Sequence, residues 1–104
     1  QEFLEKNLKN NKELQTWDGE LYLEMHRGTF TTKSEMKRAN RRLEYKLRDA
    51  EMLSVLRGED NRQAITSAYK KLLINQFHDI LPGTCIKEVY DTAKEQERSA
   101  IAAL

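Results

Sequence analysis

Residues 36–53 read MKRANRRLEYKLRDAEML, and this run decides the fold. Met36, Ala39, Leu43, Leu47, Ala50 and Leu53 recur at steps of three and four, which places them on one stripe of an α-helix. No glycine or proline interrupts them. Just upstream, Thr32-Lys33-Ser34-Glu35 reads as a capping box, with Thr32 as N-cap and Glu35 reaching back. Loss of the Thr32 hydroxyl is then expected to cost roughly 1 kcal/mol. The helix is expected to run to about Leu56, with Gly58 ending it.

Downstream the pattern repeats. Asp60-Asn61-Arg62-Gln63 offers a second N-cap, followed by the stripe Ile65, Ala68, Tyr69, Leu72, Leu73 and Phe77. That helix is expected to reach about Ile80, because Pro82-Gly83 stops it. Thr84 is placed to cap a further helix carrying Ile86, Val89, Tyr90, Ala93, Ala100, Ile101 and Leu104. Three striped helices on short connections predict an all-α, up-down-up three-helix bundle over residues 33–104.

Upstream the character changes. Residues 1–14 are helix-prone but carry only Phe3, Leu4, Leu8 and Leu14 as large apolar positions, so a free helix there is marginal. Trp17-Asp18-Gly19 is a turn signal. Glu20 to His26 then alternates, with Leu21, Leu23 and Met25 on one side, as in an extended strand. A lone strand leaves its backbone groups unpaired, and the chain has no good second strand. Residues 1–32 are therefore expected to be a helical and extended segment belonging to a neighbouring domain.

The totals agree. A chain of 104 residues is one domain at most. Charged residues make up 34%, with one Pro and four Gly, a helical composition. With 18 Lys+Arg against 17 Asp+Glu, the balance argues against an electrostatic grip on nucleic acid or an anionic membrane. No apolar run is long enough to span a bilayer, and no signal peptide is visible. The single cysteine, Cys85, excludes an internal disulfide and fits a reducing, cytoplasmic setting. The start at Gln1 suggests a piece of a larger protein.

Three places are candidates for function. The first is His78-Asp79, inside Asn75-Gln76-Phe77-His78-Asp79-Ile80-Leu81-Pro82-Gly83-Thr84. The ordinary reading makes His78 a partly buried helix residue and Asp79 a surface charge or cap. Two details count against that ordinary reading: a carboxylate at a helix C-terminus faces the negative end of the dipole, and the pair adjoins an exposed turn. An imidazole suits zinc, and a carboxylate accepts hydrogen bonds from sugar hydroxyls. A catalytic zinc takes about three protein ligands; His26 is the other histidine, so a His26/His78/Asp79 set is conceivable without the spacing of a known motif. The second is the basic face Lys33, Lys37, Arg38, Arg41, Arg42, Lys46 and Arg48, where interleaved acids such as Glu44, paired with Arg48, favour a solvated face. The third is the loop His26-Arg27-Gly28-Thr29-Phe30-Thr31-Thr32, either a polar turn or the lining of a pocket.

These stretches carry a resemblance. Gly19-Glu20-Leu21-Tyr22-Leu23-Glu24-Met25-His26-Arg27-Gly28-Thr29-Phe30-Thr31-Thr32, then Arg48-Asp49-Ala50-Glu51-Met52-Leu53, then Asn75 to Thr84, occur in that order. Together they resemble the glycoside hydrolase family 38 α-mannosidases, in the branch of bacterial and cytosolic eukaryotic enzymes. Phe77 and the Leu81-Pro82 pair set the chain apart from the secretory-pathway members. The resemblance implies that residues 1–32 are the C-terminal edge of a catalytic barrel domain and residues 33–104 the middle domain. It implies a retaining, zinc-dependent hydrolase of α-mannosides, with His78 as one zinc ligand and Asp79 contacting sugar hydroxyls. His26 falls where some members place an aromatic wall of the sugar site. The partners implied are a mannoside or mannose-containing oligosaccharide and the catalytic and C-terminal β domains of the same polypeptide. No residue here matches the nucleophile, the general acid or the other zinc ligands, so the chain alone is expected to be inert. The alternative is a stand-alone three-helix module that grips a protein partner; a nucleic-acid binder using the basic face ranks below both.

Overall fold

The stripe of residues 36–53 folds as one helix. In the computed structural model, which describes residues 1–9 and 11–104, the order is α1 (Glu2–Leu8), a 3-10 segment (Glu24–Phe30), α2 (Ser34–Arg57), α3 (Arg62–Asn75) and α4 (Lys87–Ala103). The expected all-α bundle is present, and the described residues contain no strand. The three long helices pack against one another in every pairing.

Two clusters hold the bundle. Leu43 and Leu47 of α2 meet Ala68 and Leu72 of α3 and Ala100 of α4, with Ile65, Tyr69, Ile101 and Leu104 around them. Leu43 and Leu47 are almost wholly buried, and each such leucine contributes about 1.5–3 kcal/mol. The alanines keep the helices close. The second cluster joins Met36 near the start of α2 to Tyr90 and Ala93 near the start of α4, with Ile80 and Cys85 packed on it. The starts of α2 and α4 thus lie together, and α3 returns between them.

The stripe fails at one end. Leu53 is exposed, as are Val55 and Leu56. α3 starts alongside this end of α2, where Asn61 Nδ2 donates to the Ser54 hydroxyl at 3.2 Å, yet Leu53 is left uncovered. Gly58 ends the helix as expected, in the left-handed conformation at φ 66° with its N–H on Ser54 O and Val55 O.

Several local expectations need correction. The extended segment 20–26 is not a strand: its second half enters the 3-10 segment, where His26 N donates to Leu23 O at 2.9 Å. With no partner strand, short-range turns satisfy the backbone instead. Leu21, Leu23 and Met25 are all exposed. In the N-terminal segment, helix spans Glu2–Leu8 only, and the part of the expectation on Asn10 lies outside the described residues. At Trp17-Asp18-Gly19 the chain bends at Gly19, φ 123°, with Trp17 Nε1 donating to Glu20 O and no backbone hydrogen bond among the described residues closing a turn.

The capping box does not form. Lys33, at φ 51°, precedes α2 without a side-chain cap. The Thr32 hydroxyl donates to Gly28 O at 2.7 Å, and Glu35 turns to Lys94 at 2.8 Å. Each side chain found a tertiary or upstream partner that outcompeted the local one. Likewise α3 stops at Asn75 rather than Ile80, and α4 begins at Lys87 without a cap from Thr84. Pro82 disfavours a helical Leu81, and the residues between close into turns.

Candidate functional site

Residues 76–84 connect α3 to α4 and carry His78 and Asp79. Phe77 O accepts from Ile80 N at 3.0 Å and Leu81 N at 3.2 Å, Ile80 O accepts from Gly83 N at 3.2 Å, and Asp79 O accepts from Thr84 N at 3.0 Å. The backbone is therefore internally paired, which a connection must be to hold one shape. It is also fixed to the bundle at several points. Gln76 Nε2 donates to Asn40 Oδ1 at 2.9 Å and Glu44 Oε1 at 3.3 Å on α2. Ile80 packs into the Met36/Tyr90/Ala93 cluster. Lys37 Nζ donates to Leu81 O at 3.0 Å and Pro82 O at 3.4 Å. Gly83, at φ 93°, sits against Thr32 and Lys33.

Between these anchors His78 faces outward. Its side chain is 76% exposed, and Nε2 lies 3.4 Å from Asp79 Oδ2. The imidazole leans on the half-exposed Phe77 ring, with centroids 4.2 Å apart at 44°. Asp79 Oδ1 accepts from the Thr84 hydroxyl at 3.2 Å. Because α3 ends at Asn75, Asp79 does not sit at the helix terminus, and the dipole argument for its oddity loses its basis. Exposure is the better observation: neither side chain is used by the core, although both neighbours of the turn are held down.

His26 lies on the 3-10 segment and is exposed. Its carbonyl accepts from the Thr29 hydroxyl at 2.7 Å. Around it, Arg27 lies over the Tyr22 ring at 4.8 Å and pairs with Glu24, and Tyr22 meets Phe30 edge-on at 5.8 Å. No group of three or more His, Cys, Asp or Glu among the described residues is arranged to hold a metal ion. The structure keeps His78 with Asp79 but does not assemble the His26/His78/Asp79 set.

Three of the seven cations on the basic face of α2 pair with acids. Arg41 pairs with Glu44 at 2.6 Å, Arg48 with Asp49 at 3.2 Å, and Arg42 with Glu97 of α4. The expected Glu44–Arg48 pair is replaced by Arg41–Glu44, while Arg41 and Arg48 also flank the Tyr45 ring. The Glu35 carboxyl is held below its ordinary value, first by its hydrogen bond from Lys94 against opposing desolvation, with the charges of Lys94, Lys33 and Arg38 adding to the effect. This face behaves as a solvated helix surface with cross-helix pairs.

The donor chemistry of His78 fits zinc, since an outward imidazole offers a ring nitrogen. The number of donors does not complete a site: catalytic zinc takes about three protein ligands, and the turn supplies one imidazole with one adjacent carboxylate. His78 thus suits one place in a larger ligand set.

The family model of the alpha mannosidase middle domain matches residues 24–104. The chain belongs to that family. As an alpha-mannosidase middle domain it is 41% identical over 90 residues to Alpha-mannosidase 2C1 of Homo sapiens, covering 81% of this chain and 9% of that protein. It is 40% identical over 92 residues to Alpha-mannosidase of Saccharomyces cerevisiae, with 82% and 8% covered. For Alpha-mannosidase G of Dictyostelium discoideum the identity is 37% over 87 residues, with 79% and 8% covered. The chain therefore spans under a tenth of the length of these curated relatives. No solved structure matches it. No helix among the described residues is long and apolar enough to cross a membrane.

Sequence reasoning missed three parts of this middle domain's turn. Lys37 was one charge among seven on a basic face, Gln76 was an ordinary helix residue, and Gly83 was only a stop signal. Helical spacing offered one clue to the first: Lys37 directly follows Met36, so it flanks the buried stripe.

Proposed function

We propose that this chain is the middle-domain portion of a zinc-dependent, retaining α-mannosidase that hydrolyses terminal α-mannosides. The observation that carries the reading is the exposed His78-Asp79 pair, held on a pinned turn, within a chain that matches this family over residues 24–104. Residues 1–32 are assigned to the edge of the catalytic domain, where α1 has no buried residue, and residues 33–104 to the middle domain. The setting is cytoplasmic.

In this reading His78 supplies one imidazole ligand to zinc, and the other ligands come from the catalytic domain. When bound, zinc supplies Lewis-acid polarisation of sugar hydroxyls, which suits an oxocarbenium-like transition state. Asp79 accepts hydrogen bonds from those hydroxyls and orients the sugar. Its Thr84 contact fixes one carboxylate oxygen and leaves the other toward His78. His26 lines the sugar site from the boundary segment, with an imidazole in place of a larger aromatic wall. The nucleophile and general acid belong to the catalytic domain, so this chain alone is inert.

The test is hydrolysis of an aryl α-mannoside by the full polypeptide that carries this chain. His78→Ala is expected to lower kcat/KM by about a thousandfold, the scale on which losing a group that stabilises the transition state is felt. Unchanged kinetics in His78→Ala, or hydrolysis by the isolated chain that depends on His78, contradicts the reading.

A further inference from the structure

Lys37 does not pair with any carboxylate among the described residues. Its ammonium instead donates to three backbone carbonyls: Thr32 O at 2.7 Å, Leu81 O at 3.0 Å and Pro82 O at 3.4 Å. An ammonium has three N–H donors, and here each has a carbonyl partner. Such charge-assisted bonds are about twice as strong as neutral ones, and the Lys37 side chain is half-buried, where screening is weaker.

The carbonyls belong to two segments far apart in the chain. Leu81 and Pro82 lie in the turn that carries His78 and Asp79. Thr32 closes the 3-10 segment that carries His26, since its N–H and hydroxyl both donate to Gly28 O, at 2.8 and 2.7 Å. The same two segments touch directly where Gly83 backs onto Thr32; a Cβ there would meet Thr32 O and Cγ2 at 2.9 Å. The close approach sets the spacing, and Lys37 supplies the attraction across it.

From this junction we infer that Lys37 is a positioning residue: it registers the His78-Asp79 turn against the His26 segment, so that both sugar-facing pieces keep one relative placement. The inference rests on the proposed function for its catalytic consequence, but the clamp itself is a property of this chain. Lys37 does not touch metal or sugar. It acts through the backbone of Thr32, Leu81 and Pro82.

The first experiment is amide hydrogen exchange on this chain, comparing wild type with Lys37→Met, which keeps the stem and removes the donors. Exchange at Leu81, Gly83 and Thr84 is expected to quicken about tenfold, with the amides of Leu47 and Leu72 changing less than about twofold, the signature of local opening. Arg38→Met, on the same face, is the control and leaves the turn unchanged. Uniform quickening across all three helices, or none at the turn, overturns the clamp. If Lys37→Met does not fold, Lys37→Arg is read the same way, with a smaller local increase expected because a planar fork cannot meet three converging carbonyls. The second experiment is kinetics of the full polypeptide. Lys37→Met is expected to lower kcat more than it raises KM, as misplacement of a reacting constellation does. If His78→Ala abolishes activity while Lys37→Met retains wild-type kcat, the positioning role fails and the proposed function stands. If the exchange result holds while His78→Ala is fully active, the clamp stands and the proposed function fails.

Discussion

Gly83 backs onto Thr32 so closely that a Cβ built on the glycine would lie 2.9 Å from both the carbonyl oxygen and Cγ2 of that residue. Gly83 also holds φ 93°, a conformation other residues rarely adopt. Gly83→Ala is therefore strained twice, by backbone and by contact. It is expected to destabilise the chain by about 2 kcal/mol, read as a lower urea midpoint at unchanged slope. A midpoint equal to wild type shows that the two segments do not pack this way.

Arg42 and Glu97 tie α2 to α4 across the bundle. The Glu97 side chain is 9% exposed while Arg42 is 61% exposed, with Arg42 Nε also donating to Glu97 Oε1 at 3.0 Å. Removing Arg42 leaves a buried carboxylate without its partner, so Arg42→Ala is expected to cost about 1–2 kcal/mol. Arg27→Ala, which breaks a pair exposed at both ends, is expected to stay within about 0.5 kcal/mol of wild type. Equal losses in urea unfolding for the two variants contradict this ranking.

Tyr90 is buried in the Met36/Tyr90/Ala93 cluster and its hydroxyl accepts from Cys85 N at 2.8 Å. Tyr90→Phe keeps the ring and strands that N–H, at an expected cost of about 1 kcal/mol. The loss is checked by thermal unfolding, together with faster exchange of the Cys85 amide. Unaltered exchange there removes the explanation.

Acid weakens two paired carboxyls. Glu35 is lowered chiefly by the Lys94 hydrogen bond, and Asp60 by side-chain and backbone hydrogen bonds from Arg62. A lowered folded value means their stabilisation is complete above the unfolded value, about 4 for these groups, and is lost as pH falls through the lower folded value. The urea midpoint is expected to fall below about pH 4, with a shallower fall in Lys94→Met, which removes the first cause at Glu35. Identical acid slopes for wild type and Lys94→Met refute the assignment.

The bundle was legible because its stripes are periodic: Leu43, Leu47, Ala68, Leu72, Tyr90 and Ala100 were all named from spacing, and all are buried. What spacing does not encode is the competition among polar partners. Thr32, Glu35 and Thr84 each have the chemistry of a cap, yet Gly28, Lys94 and Asp79 hold them instead. Alternation at 20–26 promised a strand, but a strand requires a partner that the described residues do not provide. The His78-Asp79 pair was visible as residue types, whereas its outward pose depends on Ile80, Gln76 and Lys37, whose anchoring is tertiary. Leu53 shows the same limit in the core: its place on the stripe predicts burial, yet it is exposed.

The central claim is that His78 is one ligand of a zinc set shared with the catalytic domain. The measurement that tests it most directly is zinc content, by mass spectrometry, of the full polypeptide and its His78→Ala variant after dialysis against a chelator of graded strength. The account predicts one zinc per wild-type molecule and a loss of affinity of at least about tenfold in the variant. Equal zinc retention by the two proteins contradicts it.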